Sequence, residues 1–204
     1  SDNDIRMIRA LAPNAIWCNW NGDVWEHGIT TPDIMEMSRA FDVQCVVNAS
    51  VLDTLKRNGV NAMYWQIGYE EAQKPVTAEY ADVRWLANNY SAERKALGEM
   101  LKRICDKLGI TWDIWGENWD NGGNVCLYDF NVEHGLYHDC KFIVGDNQYT
   151  DRYGFFSNRV FQSLYVGGGL LLHQTVPGLE ELTGLIDGVH YVAWNDTDEL
   201  EAKL

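Results

Sequence analysis

Two arginines stand where an anion would be bound. Arg159 follows Asn158 in "SNRVFQSLYVGGGLLL" (157–172), where an amphipathic helical pattern begins and three glycines, Gly167, Gly168 and Gly169, precede an apolar run. Ser157 or Asn158 is expected to cap that helix. A cation in a helix's first turn opposes the positive end of the helix dipole by roughly 0.3–1 kcal/mol. An anion at the same place reverses the balance, because backbone N–H groups and the guanidinium then act on it together. Arg94 is similarly placed in "ANNYSAER" (87–94), behind Asn88, Asn89 and Ser91. There the two readings are a phosphate contact and ordinary capping with a surface arginine.

Two further loops carry polar chemistry. "WGENWDNGG" (115–123) combines glycines, which permit unusual backbone angles, with aromatics that can stack on a base or sugar; the other reading is a mobile loop. Its acids, Glu117 and Asp120, do not form a DxD pair, so no metal is expected. In "TVPGLEEL" (175–182), Pro177 and Gly178 turn the chain into a helix bearing Glu180 and Glu181. These carboxylates either suit the helix dipole or accept hydrogen bonds from sugar hydroxyls.

The elements that must position these loops alternate. Strand patterns cover 14–20, 43–48, 61–67, 82–88, 111–116, 140–145, 169–174 and 189–194. Helical patterns cover 31–40, 50–58, 91–108, 158–166, 178–185 and 196–204. The helix at 91–108 is the clearest, with Ser91 as N-cap, Leu97, Met100, Leu101, Ile104 and Leu108 at helical spacing, and Gly109 as the stop. Strands alternating with helices predict βαβ units and parallel sheets, an α/β chain of Rossmann-like type. In such a sheet, ligands lie outside the carboxyl ends of the strands, where all four loops emerge. The polar stretch "YEEAQKPVTAEYA" (69–81) marks a boundary, giving a partial Rossmann-like piece at 1–75 and a fuller unit at 76–204.

Composition narrows the classes. The chain has 204 residues, 46% hydrophobic and 23% charged, which is globular. No apolar run reaches about 18 residues, so no membrane span is expected. No basic-then-apolar leader opens the sequence, and five scattered cysteines (Cys18, Cys45, Cys105, Cys126 and Cys140) without a CxxC pair read as reduced thiols, so the expected compartment is the cytoplasm. The formal net charge of −14 works against a nucleic-acid clamp and leaves room only for a local basic pocket. Nine tryptophans and ten tyrosines supply either core packing or stacking surface.

In order and spacing, "YHDCKFIVGDN", "SNRVFQSLYVGGGLLLHQTVPGLEELTGLIDGVHYVAWNDTDELEAKL" and the upstream "DVRWLANNYSAERKALGEMLKRI" resemble the donor-binding end of group 1 glycosyltransferases of the GT-B fold, most closely the CgeB-like variety. "WCNWNGDVWE" and "VVNASVLDTLKRNGVNAMYWQIGYEE" resemble the last part of the acceptor-side domain. The resemblance implies a transferase that moves a sugar from a nucleoside-diphosphate sugar to a hydroxyl acceptor, without metal or separate cofactor. Arg159 and the amides near Asn158 would meet the diphosphate, helped by Arg94 and Asn89. The loop around Gly116 and Glu117 would line the base, and Gly178, Glu180 and Glu181 would approach the sugar. Asp23 or His27 in "NGDVWEHG" would be the base that deprotonates the acceptor.

Departures from the pattern matter as much. The family's ribose-binding glutamate after R-x-F is Gln162 here, a weaker partner for a diol than a carboxylate. Gly154 stands where the first glutamate of the retaining relatives' pair would fall. The resemblance also implies two full Rossmann domains, of which most of the first is not matched: a truncated acceptor-side domain, one completed by a partner chain or a further segment, or a chain reduced to a minimal form would each fit. Two alternatives follow: a reduced nucleotide- or sugar-binding module, and a phage-type DNA-base glycosyltransferase, which the negative charge disfavours. A Rossmann enzyme of other chemistry would want an early G-x-G-x-x-G, which is absent.

Overall fold

A computed structural model describes residues 2–22, 31–66, 68–120 and 129–204. Among these the chain runs α1 (Asp2–Leu11), β1 (Cys18–Asn21), α2 (Pro32–Arg39), β2 (Val43–Val46), a 3-10 turn (Ala49–Val51) leading into α3 (Leu52–Arg57), and β3 (Ala62–Tyr64). It continues through β4 (Ala81–Leu86), α4 (Ala92–Leu108), β5 (Trp112–Trp115), α5 (Phe130–His138), β6 (Cys140–Gly145), α6 (Arg159–Val166), β7 (Leu170–Gln174), α7 (Leu179–Thr183), β8 (Val192–Trp194) and α8 (Thr197–Lys203). All strand pairs of both sheets are parallel, the α/β organisation that alternating patterns predict.

The chain divides into two compact units: Ser1–Ile67 with Asp151–Phe156 and Val176–Leu182, and Gly68–Thr150 with Ser157–Thr175 and Thr183–Leu204. The first carries the sheet β1-β2-β3, its core made by Met35, Val46, Val51, Leu55, Val60 and Ala62. Two short later stretches belong to it and are held by hydrogen bonds to backbone carbonyls. Tyr64 Oη donates to the Gly154 carbonyl at 3.1 Å, and Gly154 N–H to the Pro177 carbonyl at 2.9 Å. Gly154 has a left-handed φ of 73°, and a Cβ there would press on Leu182 and Ala49. Steric demand and the left-handed φ together favour glycine at this position.

The second unit carries the sheet β5-β4-β6-β7-β8. Strand order reverses between β4 and β6, because the chain goes from β4 to one side and returns on the other. That reversal opens a crevice at the carboxyl ends of the two strands. The period-2 alternation of the strands sorts side chains between faces. Val83, Trp85, Val144 and Leu172 pack with Leu101 and Cys105 of α4 and Leu200 of α8. On β4 the residues out of phase with that set are Asp82, Arg84 and Leu86, and Arg84 reaches the α5 carbonyl of Leu136.

Sequence patterning did not reveal α1 or α5. In α5 the reason is visible: Gly135 sits mid-helix, where glycine costs about 1 kcal/mol relative to alanine. The site requires it, since a Cβ on Gly135 would overlap the Val76 carbonyl oxygen. The strap that crosses α5 is held by Val76 N–H to Asn131 O (2.9 Å), Lys74 N–H to Asn131 Oδ1 (2.7 Å) and Ala78 N–H to Asp139 Oδ2 (2.8 Å). The four described cysteines are unpaired thiols, and Cys45, Cys105 and Cys140 are buried.

Arg84 anchors the strap from beneath. It is 1% exposed and donates to both Asp113 carboxylate oxygens (2.7 and 2.8 Å), to Leu136 O (2.9 Å) and to Glu79 O (2.6 Å). Replacing it strands several acceptors at once, so Arg84→Met is expected to cost about 3 kcal/mol of unfolding free energy. Urea denaturation followed by far-UV circular dichroism measures this; a loss well under 1 kcal/mol would show that the network contributes nothing.

Candidate functional site

The crevice at the β4–β6 reversal is floored by a buried ion pair. Arg94 Nε donates to Asp146 Oδ2 at 2.7 Å, with both side chains under a tenth exposed. The pair is woven into its surroundings. Trp85 Nε1 donates to Asp146 Oδ1 (3.0 Å), Arg94 Nη1 donates to Asn88 O (3.0 Å), and the Arg94 guanidinium lies 4.4 Å from the Tyr90 ring centre. Ser91 caps α4 by accepting from Arg94 N–H at 3.2 Å, and Gly109 ends the helix with φ 67°.

Above this floor lies an open groove of about 1010 Å³. Tyr90, Leu97 and Met100 line one wall, Asn147 and Tyr149 the next, and Gln174, Trp194 and Asn195 the far side. Its aromatic faces and scattered polar groups suit an extended ligand with apolar and polar parts. Asn147 joins this wall to α6, its Oδ1 accepting from Ser157 N–H at 3.2 Å.

The mouth of α6 supplies the uncommitted charge. Arg159 donates through Nη1 to Ser157 Oγ at 3.3 Å, and its guanidinium has no carboxylate partner among the described residues. Ser157 Oγ also accepts from Arg159 N–H at 3.3 Å, while Asn158 makes no side-chain cap and its N–H has no acceptor among the described residues. A backbone N–H without an acceptor among the described residues and a guanidinium without an ion-paired carboxylate therefore sit together at this helix start.

The remaining sequence-identified residues fall elsewhere. Asn89 bonds Asn118 O through Nδ2 (3.0 Å) and Glu117 O through its backbone (2.9 Å), and Glu117 N–H donates to Asn88 Oδ1 (2.9 Å). Gly116, at φ 149°, brings its backbone so close to Ala87 O that a Cβ would overlap it. This loop is thus stitched to the end of β4 rather than lining the groove. Gln162 is buried and spends both amide groups on one partner, donating to Glu70 O (3.1 Å) and accepting from Glu70 N–H (3.2 Å). Gly178, Glu180 and Glu181 belong to the first compact unit, where Gly178 has φ 86° and both glutamates are exposed. Asp23 and His27 lie outside the described residues.

Two buried groups, Glu133 and Tyr137, were not singled out from the sequence; a third, His173, follows the glycine run, where the sequence leaves open a donor-facing or a structural histidine. Glu133 is 4% exposed in α5 and has no hydrogen-bond or ion-pair partner for its carboxylate among the described residues. Burial pushes its carboxyl up to about 7; the charge of Arg159 opposes this and that of Asp129 adds to it. One turn along, Tyr137 is 1% exposed, and His173 on β7 is equally buried. Burial pulls the His173 imidazole down to about 4, so it is neutral. Only the helical spacing of Glu133 and Tyr137, four apart, hinted that they share a face.

Glu133 makes stability depend on pH in a defined direction. Its folded value lies above the ordinary 4.5, so its contribution is fully present below about 4.5 and is lost as pH rises through about 7. His173 acts in the opposite sense at lower pH, its contribution lost as pH falls from 6.5 through about 4. Glu133→Gln keeps the first group uncharged throughout and leaves the histidine alone. Between pH 5 and 8, wild type should lose on the order of 2 kcal/mol relative to Glu133→Gln by denaturant titration. Parallel pH profiles would contradict the burial argument.

No protein-family model matches the sequence, and no curated protein is similar to it. Among solved structures, one described as "Crystal structure of GtfA/B complex" is similar in fold at 13% identity and a TM-score of 0.47. The alignment covers 84% of this chain and 38% of that one.

Proposed function

We propose that this chain binds a nucleoside-diphosphate sugar and forms the donor side of a glycosyltransferase. The observation that carries the reading is the state of the two arginines. Arg94 is paired with Asp146 and also donates to Asn88, whereas Arg159 has no carboxylate partner among the described residues and lies beside the Asn158 N–H, which has no acceptor among them, at a helix mouth. The diphosphate belongs at Arg159, and the groove walled by Tyr90 and Tyr149 takes the nucleoside by stacking. Glycosyl transfer leaves charge on the departing diphosphate, and a fixed guanidinium plus a backbone amide stabilise that charge without reorganising. The resemblance of the sequence to group 1 glycosyltransferases supports the same assignment. A hydroxyl of unknown identity accepts the sugar, and Asp23 or His27 is the candidate base.

Calorimetric titration with a panel of nucleoside diphosphates and their sugars tests the binding. Wild type should bind at least one of them, and Arg159→Ala should bind it about 10- to 100-fold more weakly, the scale of one or two charge-assisted hydrogen bonds. Equal affinity in both proteins would remove Arg159 from the site.

A second reading, a binding module without turnover, is favoured by Gln162. Its amide is committed to Glu70, so the position where the resembling enzymes present a carboxylate offers no free acceptor. Free nucleotide released from a sugar nucleotide in the presence of an acceptor panel separates the two. Release supports the transferase; binding without release across the panel supports the module.

A further inference from the structure

Beneath the mouth of α6, Tyr137, Gly145, Asp146, Ser157, Arg159 and His173 line a second, small cavity. It offers about 10 Å³ to the centre of a water molecule, enough for one and too little for a phosphate or a sugar. Two of its lining side chains carry buried polar atoms with no hydrogen-bond partner among the described residues: Tyr137 Oη and His173 Nε2. Both residues are only 1% exposed. Leaving two such atoms unpaired in the interior costs free energy that native folds almost always avoid.

The chemistry of the two atoms is complementary. His173 Nδ1 lies 2.7 Å from the Gln174 carbonyl oxygen, an atom that only accepts, so Nδ1 carries the proton and Nε2 presents a lone pair. Tyr137 Oη presents a hydroxyl proton. We infer that one structural water is bound in this cavity, accepting from Tyr137 Oη and donating to His173 Nε2. Ser157 is its third neighbour: the serine oxygen already accepts two N–H groups from Arg159, and its hydroxyl hydrogen has no acceptor among the described residues. The water ties α5 and β7 to the residue that orients Arg159, so it is a bridge between the sheet and the first turn of α6.

A high-resolution crystal structure, paired with NMR of imidazole-labelled protein, tests the site. The expected result is one ordered water within about 3.2 Å of both atoms. His173 should appear as the Nδ1–H tautomer with Nε2 accepting a hydrogen bond. Tyr137→Phe should shift the Nε2 resonance towards that of a free acceptor. An ordered but empty cavity, direct contact of Oη with Nε2, or an Nε2–H tautomer would each overturn the inference. Stability gives an independent readout that survives if one variant packs poorly. Through a shared water, Tyr137→Phe and His173→Leu should be less damaging together than the sum of their separate shifts in urea midpoint. Additive shifts would overturn it.

Discussion

The second unit is organised around one buried salt bridge. Asp146 directly follows β6 at the point where strand order reverses, and its carboxylate cannot remain there unpaired. Arg94 from α4 meets one oxygen and Trp85 of β4 meets the other. The same guanidinium takes the carbonyl of Asn88, whose side chain holds Glu117 N–H. A single pair thereby fixes the loops after β4, β5 and β6 relative to one another. A buried pair of this kind contributes little net stability, yet removing one partner leaves an uncompensated charge.

That constraint decides what the site can do. A guanidinium has five N–H donors, and Arg94 has committed Nε and Nη1 within a closed network. Binding an anion there would compete with Asp146. Arg159 has no ion-paired carboxylate among the described residues, so the unpaired guanidinium is at α6 rather than α4. In a chain of net charge −14, a cation kept free of carboxylates is a local exception that long-range attraction does not explain. The neighbouring Glu133 carries only part of a charge near neutrality, because burial pushes its carboxyl up to about 7.

Much of the fold was legible because it rests on local rules. The strands of both sheets begin and end within four residues of the apolar runs, and α4 is capped by Ser91 and Gly109 as its pattern predicts. The helix α5 was not legible, because Gly135 lowers its propensity and is explained only by a strap more than fifty residues earlier in the chain. The proposal of an anion at Arg159 starts from a helix-dipole conflict readable in four residues. By contrast, the commitment of Arg94 depends on Asp146, and that of Gln162 on Glu70, partners that pattern and spacing do not reveal. Gln162 illustrates the point: read as a substituted ligand residue, it turns out to copy a backbone pairing that secures the strap onto α6.

The contrast between the two arginines is the central claim, and arginine side-chain NMR addresses it directly. Titrating a nucleoside diphosphate into ¹⁵N-arginine-labelled protein should move the Nε–H signal of Arg159 and leave that of Arg94, locked on Asp146, in place. A shift confined to Arg94, with Arg159 unmoved, would contradict the account.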